Sequence, residues 1–243
     1  MKHLNLHPWE VSPKEAIRIQ LELAKKIVLK DTPAKIKTVA GADVSFSPGG
    51  EVAYGAVVVL NFPDLSPIEE VRVKAPLKFP YIPGLLTFRE GPILLQTFER
   101  VKEKPDLIVF GGQGIAHPRR MGLATHMGVL LDKPSIGCAK THLWGRFDEK
   151  KVEEEKGSYT LLKEKKGDVL GAVLRTRSGV KPVFISPGHK ITLKHSIDII
   201  LKICPKFRLP EPLRLAHTLS KEGRICKKKN QFTTEDAEFA EKE

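Results

Sequence analysis

The chain has 243 residues, of which 41% are hydrophobic, so it is long enough and apolar enough to bury the core of one α/β domain. Lysine and arginine outnumber aspartate and glutamate by 41 to 29, and the net charge of +12 favours a polyanionic partner such as nucleic acid. The longest apolar stretch, near residues 52–62, is far shorter than the roughly 20 residues of a membrane span, and Cys138, Cys204 and Cys226 are too scattered for a disulfide framework or a zinc site with paired ligands. We therefore expect a soluble, cytoplasmic protein.

The first half of the chain predicts a helix, a meander and then alternating strands and helices. Ser12-Pro13-Lys14-Glu15 is a capping box with proline at the first helical position, and apolar spacing continues the helix to about Lys30. Three β-rich runs separated by turns predict an antiparallel meander over 38–46, 52–61 and 68–75. A helix over 88–102, a strand over 106–110, a helix from about 119 to 131 and a strand over 134–139 follow. This alternation predicts parallel pairing of the later strands.

The second half contains shorter elements. It predicts strands over 158–162, 169–175 and 182–185 and helices over 192–203 and 211–221, whereas Ser186-Pro187-Gly188-His189 favours a turn into a helix. Residues 1–223 therefore describe a single α/β domain built on a mixed sheet with flanking helices. Residues 224–243 are basic and then acidic, and we expect a mobile tail. Residues 206–229 hold eight Lys or Arg against two Glu, which fits either a surface for a polyanion or a solvated helix face.

Two carboxylates are placed where chemistry is expected. Asp43 lies inside an apolar strand, where an ionised group must be paired, hydrogen-bonded or bound to a cation; an aspartate at a strand edge or bulge is the alternative. Strand periodicity places residues 41, 43 and 45 on one face of the sheet. Thr87 and Glu90 have the spacing of a capping box, but Pro92 favours a helix that begins near Gly91 and leaves the Glu90 carboxylate free.

Three further segments could contact a nucleic acid. Tyr81 and Ile82 lie between two prolines, in a stiff loop that could wedge into a base stack or be a plain surface turn. His117 and Arg119 follow a glycine loop, next to a predicted helix N-terminus that suits phosphate. Lys140 ends a predicted parallel strand, at the sheet edge where α/β proteins bind ligands. His217 lies on a late helix, where a lone histidine is more often structural.

Taken together, five blocks resemble the endonuclease V family, the nucleases that act at deaminated adenine. In chain order the blocks are VAGADVSF at 39–46, FPYIPGLLTFREGP at 79–92, GQGIAHPR at 112–119, IGCAK at 136–140 and RLAH at 214–217. The resemblance runs from about residue 6 to residue 220. It implies an RNase H-like fold and hydrolysis of the second phosphodiester bond 3′ to hypoxanthine, with Mg²⁺ or Mn²⁺, leaving 3′-hydroxyl and 5′-phosphate ends.

The resemblance also implies roles for individual residues. Asp43 and Glu90 would be metal-binding carboxylates, and Tyr81 would belong to a strand-separating wedge. Lys140 and His217 would flank the scissile phosphate. The backbone around Leu86, Gly112 and Gly137 would form the pocket for a flipped base, which glycine-lined walls suit. The implied partners are DNA containing deaminated adenine and inosine-containing RNA, between which contacts to the 2′-hydroxyl would discriminate. We expect a monomer with no obligate protein partner and no membrane contact.

The chain departs from the family pattern at Gly111, where the family has an aspartate that is a third metal ligand. Asp106 cannot replace it, because five strand residues separate the two positions by about 16 Å and point their side chains to opposite faces. Gln113 is closer and offers a neutral amide oxygen. We therefore expect strongly impaired cleavage with recognition of the deaminated base largely intact. The alternative is a catalytically weak or silent binder of the same lesion, whereas a general single-strand binding domain would not explain Asp43 and Glu90.

Overall fold

The computed structural model describes residues 1–32 and 35–229, which fold around one sheet of eight strands. The strand order is β3-β2-β1-β4-β5-β8-β7-β6. The strands are β1 (Thr38–Phe46), β2 (Val52–Asn61), β3 (Pro67–Pro76), β4 (Leu107–Phe110), β5 (Ser135–Ala139), β6 (Tyr159–Lys163), β7 (Val169–Leu174) and β8 (Val183–His189). The helices are α1 (Pro13–Leu23), α2 (Leu86–Arg100), α3 (Leu123–Leu131), α4 (Leu193–Lys202) and α5 (Glu211–Lys229).

The pairing confirms the predicted mixture of antiparallel and parallel strands. β1, β2 and β3 form the antiparallel meander, and β1, β4 and β5 pair in parallel. β8, β7 and β6 extend the sheet with antiparallel pairing. A mixed sheet flanked by helices is the expected α/β architecture of the RNase H-like fold.

Alternation along β1 directs its side chains to two cores. Ala40 and Ala42 pack with α2 and α3 on one face, whereas Val39 packs with α4 and α5 on the other. Gly41 lies on the second face, where an added Cβ would come within 2.2 Å of the Pro212 carbonyl oxygen. The glycine therefore lets α5 approach β1 closely, and this approach determines what α5 brings to the sheet.

Several predicted element boundaries were wrong, and tertiary contacts account for the differences. α1 ends at Leu23, followed by a short 3-10 turn, because the chain beyond it turns away to bond the end of β8: Lys190 N donates to Val28 O at 2.6 Å. The Ser186–His189 segment completes β8 instead of turning into a helix, since it pairs with β5. α5 continues beyond residue 221 to Lys229, and residues 230–243 of the expected tail lie outside the described residues.

Helix α2 begins at Leu86, earlier than predicted, with Glu90 inside its second turn and Pro92 in its interior. Pro92 cannot donate to the carbonyl of Phe88, a loss that costs about 3 kcal/mol in an exposed helix. Burial of the apolar face of α2 offsets this cost, because Phe88 and Phe98 are almost fully buried. Neither the Thr87–Glu90 capping box nor a start near Gly91 is correct, and Leu85, with no side-chain capping bond, is the N-cap. Within the described residues, no helix is long and apolar enough to cross a membrane.

Candidate active site

The carboxylate of Asp43 faces helix α5, where it meets a histidine. His217 Nδ1 lies 2.6 Å from Asp43 Oδ2, and both side chains are largely buried. β1 carries the aspartate and α5 carries the histidine, so the close approach at Gly41 brings this pair together. Residues 41, 43 and 45 share the face of β1 that packs against α5, as predicted. Gly41 and Asp43 contact that helix as described, and Ser45 Oγ donates a hydrogen bond to Ser220 O of α5. The pair gives the carboxylate a hydrogen-bond partner that an apolar strand alone cannot supply.

Glu90 approaches the same point from helix α2 and is the least compensated charge in the site. Its side chain is buried, and no group among the described residues donates a hydrogen bond to its carboxylate. Burial, reinforced by repulsion from Asp43 and opposed in part by Arg89, raises the pKa of Glu90 from 4.5 to about 8. A buried carboxylate next to a second carboxylate requires either a proton or a cation.

Gly111 immediately follows β4, next to Asp43 across the parallel pair. An added Cβ at Gly111 would lie 2.5 Å from Asp43 Oδ1, so the Asp43 carboxylate occupies the space that a side chain at position 111 would enter. The contact is with the end of a flexible side chain, which could turn aside. Asp106, at the other end of β4, accepts hydrogen bonds from the backbone of Lys37 and Thr38 and does not reach the site.

A cleft of about 560 Å³ opens above Asp43 and Gly111 at the carboxyl ends of the parallel strands. Most of the predicted site residues line it: Asp43, Tyr81, Ile82, Leu86, Gly111, Gly112, His117, Lys140 and His217. Lys140 follows β5 directly, as predicted, and its side chain is exposed. Glu90, Arg119 and Gly137 do not line the cleft.

The turn that presents Tyr81 is anchored through hydrogen bonds to the backbone of Gly84. The Gly84 carbonyl accepts hydrogen bonds from Gln20 Nε2 at 3.0 Å, His117 Nε2 at 2.9 Å and Arg119 Nη2 at 2.8 Å. Tyr81, at the tip of the turn, remains 68% exposed. Three donors on one oxygen give a rigid base to an exposed aromatic side chain.

The prediction that His117 and Arg119 sit at a helix N-terminus is wrong, because α3 begins only at Leu123. Helix α3 cannot begin earlier, because Arg120 adopts a left-handed φ of 54°. Gly122 also packs closely against Gln113, where an added Cβ would lie 2.3 Å from the carbonyl oxygen. Arg119 N donates to His117 Nδ1 at 3.1 Å, which leaves Nε2 as the protonated nitrogen facing Gly84. Burial lowers the pKa of His117 to about 4, so its ring is neutral.

The glycines of the predicted base pocket have different positions. Gly112 lines the cleft, whereas Gly137 lies behind the loop, where an added Cβ would be 2.3 Å from Gly114 N. Gly137 therefore makes room for the loop that forms the wall. Gln113 lines the cleft, donates from Nε2 to Thr141 O at 3.1 Å, and has a buried Oε1 with no hydrogen-bond partner in the described part of the chain.

Sequence reasoning missed Gln20 and Leu213. Gln20 is fully buried on the same face of α1 as Ala16, Ile19 and Leu23. A glutamine on an otherwise apolar helix face was the available signal, because a buried amide must find partners. Leu213 lines the cleft from the start of α5, and only the fold reveals that position.

Two side chains of this site have the donor chemistry that suits a divalent cation. Asp43 and Glu90 supply hard oxygen ligands of the kind that Mg²⁺ and Mn²⁺ prefer, and no residue in the described part of the chain donates a hydrogen bond to Glu90. Among residues 1–32 and 35–229, however, no group of three or more His, Cys, Asp or Glu side chains is arranged to hold a metal. Gly111, next to Asp43, contributes no carboxylate to such a group.

Comparisons with known proteins identify the class. The family profile described as Endonuclease V matches residues 21–218. A relative named Endonuclease V from Methanothrix thermoacetophila is 50% identical over 220 residues, covering 90% of this chain and 96% of the relative. The crystal structure of the endonuclease V from Bacillus subtilis superposes with a TM-score of 0.88 at 33% identity, covering 95% of this chain and all of that one. The fold and sequence together therefore define an endonuclease.

Within that class, the chain belongs to the endonuclease V family. The structure of Ciona intestinalis endonuclease V in complex with a 23mer DNA containing an inosine followed by a ribo-adenosine has a TM-score of 0.78 and 28% identity, covering 89% of this chain and 99% of that one. The family and the RNase H-like α/β fold predicted from the sequence are confirmed.

Proposed function

We propose that this endonuclease V acts on hypoxanthine-containing nucleic acid, binding the deaminated base in the cleft and hydrolysing the second phosphodiester bond on its 3′ side. The observation that carries the proposal is the pair of carboxylates, Asp43 and Glu90, beneath a cleft edged by Lys140 and His217. The net charge of +12 favours a polyanionic substrate, and the inosine-containing DNA bound by the Ciona relative supports the choice of lesion.

In this proposal Asp43 and Glu90 hold Mg²⁺ or Mn²⁺, which when bound would polarise the phosphoryl group and lower the pKa of an attacking water. Lys140 places an exposed cation beside the scissile phosphate and offsets its charge. His217 orients Asp43 through the contact at 2.6 Å. Tyr81 and Ile82 enter the base stack from the turn that Gly84 anchors, and His117 and Arg119 support that turn.

The base would be received by the part of the cleft near Leu86 and Gly112, with Gly137 supporting its wall. Backbone groups exposed by glycines can approach a flat base closely, and the cleft volume of about 560 Å³ accommodates a nucleoside. Because the base pocket and the acidic pair are built from different residues, Gly111 weakens cleavage while leaving recognition in place. A catalytically silent binder of the same lesion is the second candidate, favoured by the missing third carboxylate.

The test compares the parent with Gly111→Asp on strands carrying one inosine, in DNA and in RNA, with Mg²⁺ or Mn²⁺. We expect similar affinity for inosine in both proteins and nicking at least about 100-fold faster with Gly111→Asp, because a carboxylate in direct contact with the cation supports several kcal/mol of charge stabilisation. Gly111→Asn is the matched control, since it adds the same shape without the charge, and it should not accelerate nicking.

The outcomes separate the parts of the proposal. Equal nicking by the parent and Gly111→Asp would refute the role assigned to position 111. Nicking by neither protein, with intact preference for inosine over adenosine, would favour the silent binder. Absence of any preference for inosine would refute the proposed lesion.

A further inference from the structure

The chain that follows Lys140 forms a loop, residues 140–147, that presents two apolar side chains to solvent beside the cleft. Leu143 and Trp144 are each 42% exposed, and Leu143 lines the cleft. Large exposed apolar side chains next to a functional cleft commonly mark a surface that a ligand covers. The question is which ligand this pair fits.

The 140–147 loop is held in place from several sides. The rings of His142, Phe147 and Phe184 lie with centroids 5.6 Å apart in each pair. Arg146 and Lys163 exchange two backbone hydrogen bonds, of 2.7 and 2.9 Å, which attach the loop to β6. The tip is therefore exposed on a well-supported base, and a ligand would bind it with little ordering cost.

Two hydrogen bonds also fix the start of the loop to the site. Arg208 Nη2 donates to Lys140 O at 3.1 Å, and Gln113 Nε2 donates to Thr141 O at 3.1 Å. Trp144 therefore lies three residues beyond Thr141, the second of two consecutive residues whose backbone these bonds anchor.

The charges around the loop favour a nucleic-acid strand over an apolar peptide. Lys140, Arg146 and Lys163 are exposed, and none of the three forms a side-chain ion pair within the described residues. Lys140 and Arg146 lie four and two residues from Trp144 along the chain, and Lys163 bonds Arg146 through its backbone. Cations without a carboxylate partner in the described residues, near an exposed aromatic side chain in the chain, match the combination by which proteins bind single strands: phosphates near the charges and a base on the ring.

We propose that Trp144, with Leu143 beside it, is a stacking platform for an unpaired base of the bound strand, on the 3′ side of the lesion near the scissile bond. This inference rests on the proposed function, because it takes Lys140 as the residue beside the scissile phosphate. It adds a second aromatic contact to that of Tyr81, in the loop after β5 and next to the cleft-lining Leu143, and it makes Trp144 a residue that positions the substrate.

The first experiment measures affinity for a fluorescent strand carrying one inosine, by anisotropy in EDTA and again with Mg²⁺. We expect Trp144→Ala to weaken binding roughly 5- to 100-fold, the usual range for loss of one aromatic stack, and Trp144→Phe to weaken it less than about 5-fold. Tyr159→Ala is the control, since Tyr159 is a 48% exposed aromatic residue at the start of the edge strand β6 and lies outside the 140–147 loop. It should bind like the parent.

A second experiment locates the base. Strands with an abasic site at the first, second or third position 3′ to inosine should bind the parent more weakly at one of these positions, and at that position the penalty should vanish in Trp144→Ala. The chain has two tryptophans, so Trp9→Phe leaves Trp144 as the sole reporter, whose fluorescence should be quenched on binding.

The results distinguish this inference from the proposed function. If the parent prefers inosine but Trp144→Ala binds as tightly as the parent, or the fluorescence of Trp144 does not change on binding, the stacking platform is refuted. If the parent shows no preference for inosine, the proposed function fails; loss of affinity in Trp144→Ala would then still support a general single-strand contact.

Discussion

Replacing Glu90 by glutamine tests whether the site is built to hold a cation. Burial and the neighbouring Asp43 raise the pKa of Glu90 to about 8 in the folded protein, against 4.5 ordinarily. A raised pKa means that the folded protein binds this proton more tightly than the unfolded chain does. The stability contributed by the protonated group is therefore fully present below pH 4.5 and is lost as the pH rises through 8.

The size of the effect follows from that interval. Between about pH 5 and pH 8 the carboxyl group is protonated when folded and ionised when unfolded, so the parent loses about 1.4 kcal/mol per pH unit, or about 4 kcal/mol in all. Glu90→Gln has nearly the same shape and does not titrate. The difference in free energy of unfolding between Glu90→Gln and the parent should shift by about 4 kcal/mol in favour of the variant from pH 5 to pH 9.

The assay is urea unfolding of both proteins in EDTA at a series of pH values, followed by circular dichroism. Because both proteins share every other titrating group, the difference between them isolates Glu90. Adding Mg²⁺ at pH 9 should stabilise the parent and have little effect on Glu90→Gln, since the cation binds the folded, ionised carboxylate. A difference that does not change with pH would refute the burial argument. Equal stabilisation of both proteins by Mg²⁺ would refute the assignment of Glu90 as a ligand.

Two further predictions concern the supports of the site. Burial lowers the pKa of His117 from 6.5 to about 4, so the stability that its neutral ring contributes is present above pH 6.5 and is lost as the pH falls towards 4. In urea unfolding, the parent should lose about 3 kcal/mol of stability from this residue over that range. His117→Gln should not show that loss. Gly41→Ala places a Cβ within 2.2 Å of the Pro212 backbone, so α5 must move away from β1. We expect thermal unfolding to show a loss of about 1–3 kcal/mol in stability. When Gly41→Ala is added to the Gly111→Asp protein, nicking should become slower. A Gly41→Ala protein with unchanged melting temperature would show that α5 is not held at this contact.

The fold was predictable to the extent that local patterns determine it. The meander over β1 to β3 and the parallel pairing of β4 with β5 follow from strand length, turn residues and alternation with helices. The boundaries that failed depend on contacts distant in sequence. α1 stops early because residues near Val28 bond the end of β8, and α2 tolerates Pro92 because its apolar face is buried.

Most residues predicted for the site line the cleft, but their arrangement could not be predicted from the sequence. Asp43, Lys140 and His217 could be proposed from the strand ends and from the family blocks. The contact between Asp43 and His217 could not, because it depends on how closely α5 approaches Gly41. Arg119 was expected near a phosphate, and that stays a prediction; its bond to the Gly84 carbonyl is a contact that no sequence pattern indicates.

The position of the Asp43 carboxylate links residue 111 to the Asp43–His217 pair. Asp43 directs one oxygen to His217, at 2.6 Å, and the other into the space beside Gly111, where an added Cβ would be 2.5 Å away. A carboxylate at position 111 must therefore turn Asp43, and without a cation it would add a third carboxylate to a site whose Glu90 already resists ionisation. The same substitution that supplies a ligand should thus lower stability in EDTA and recover it with Mg²⁺. Glycine at this position keeps the Asp43–His217 pair undisturbed in the absence of metal and supplies no ligand of its own.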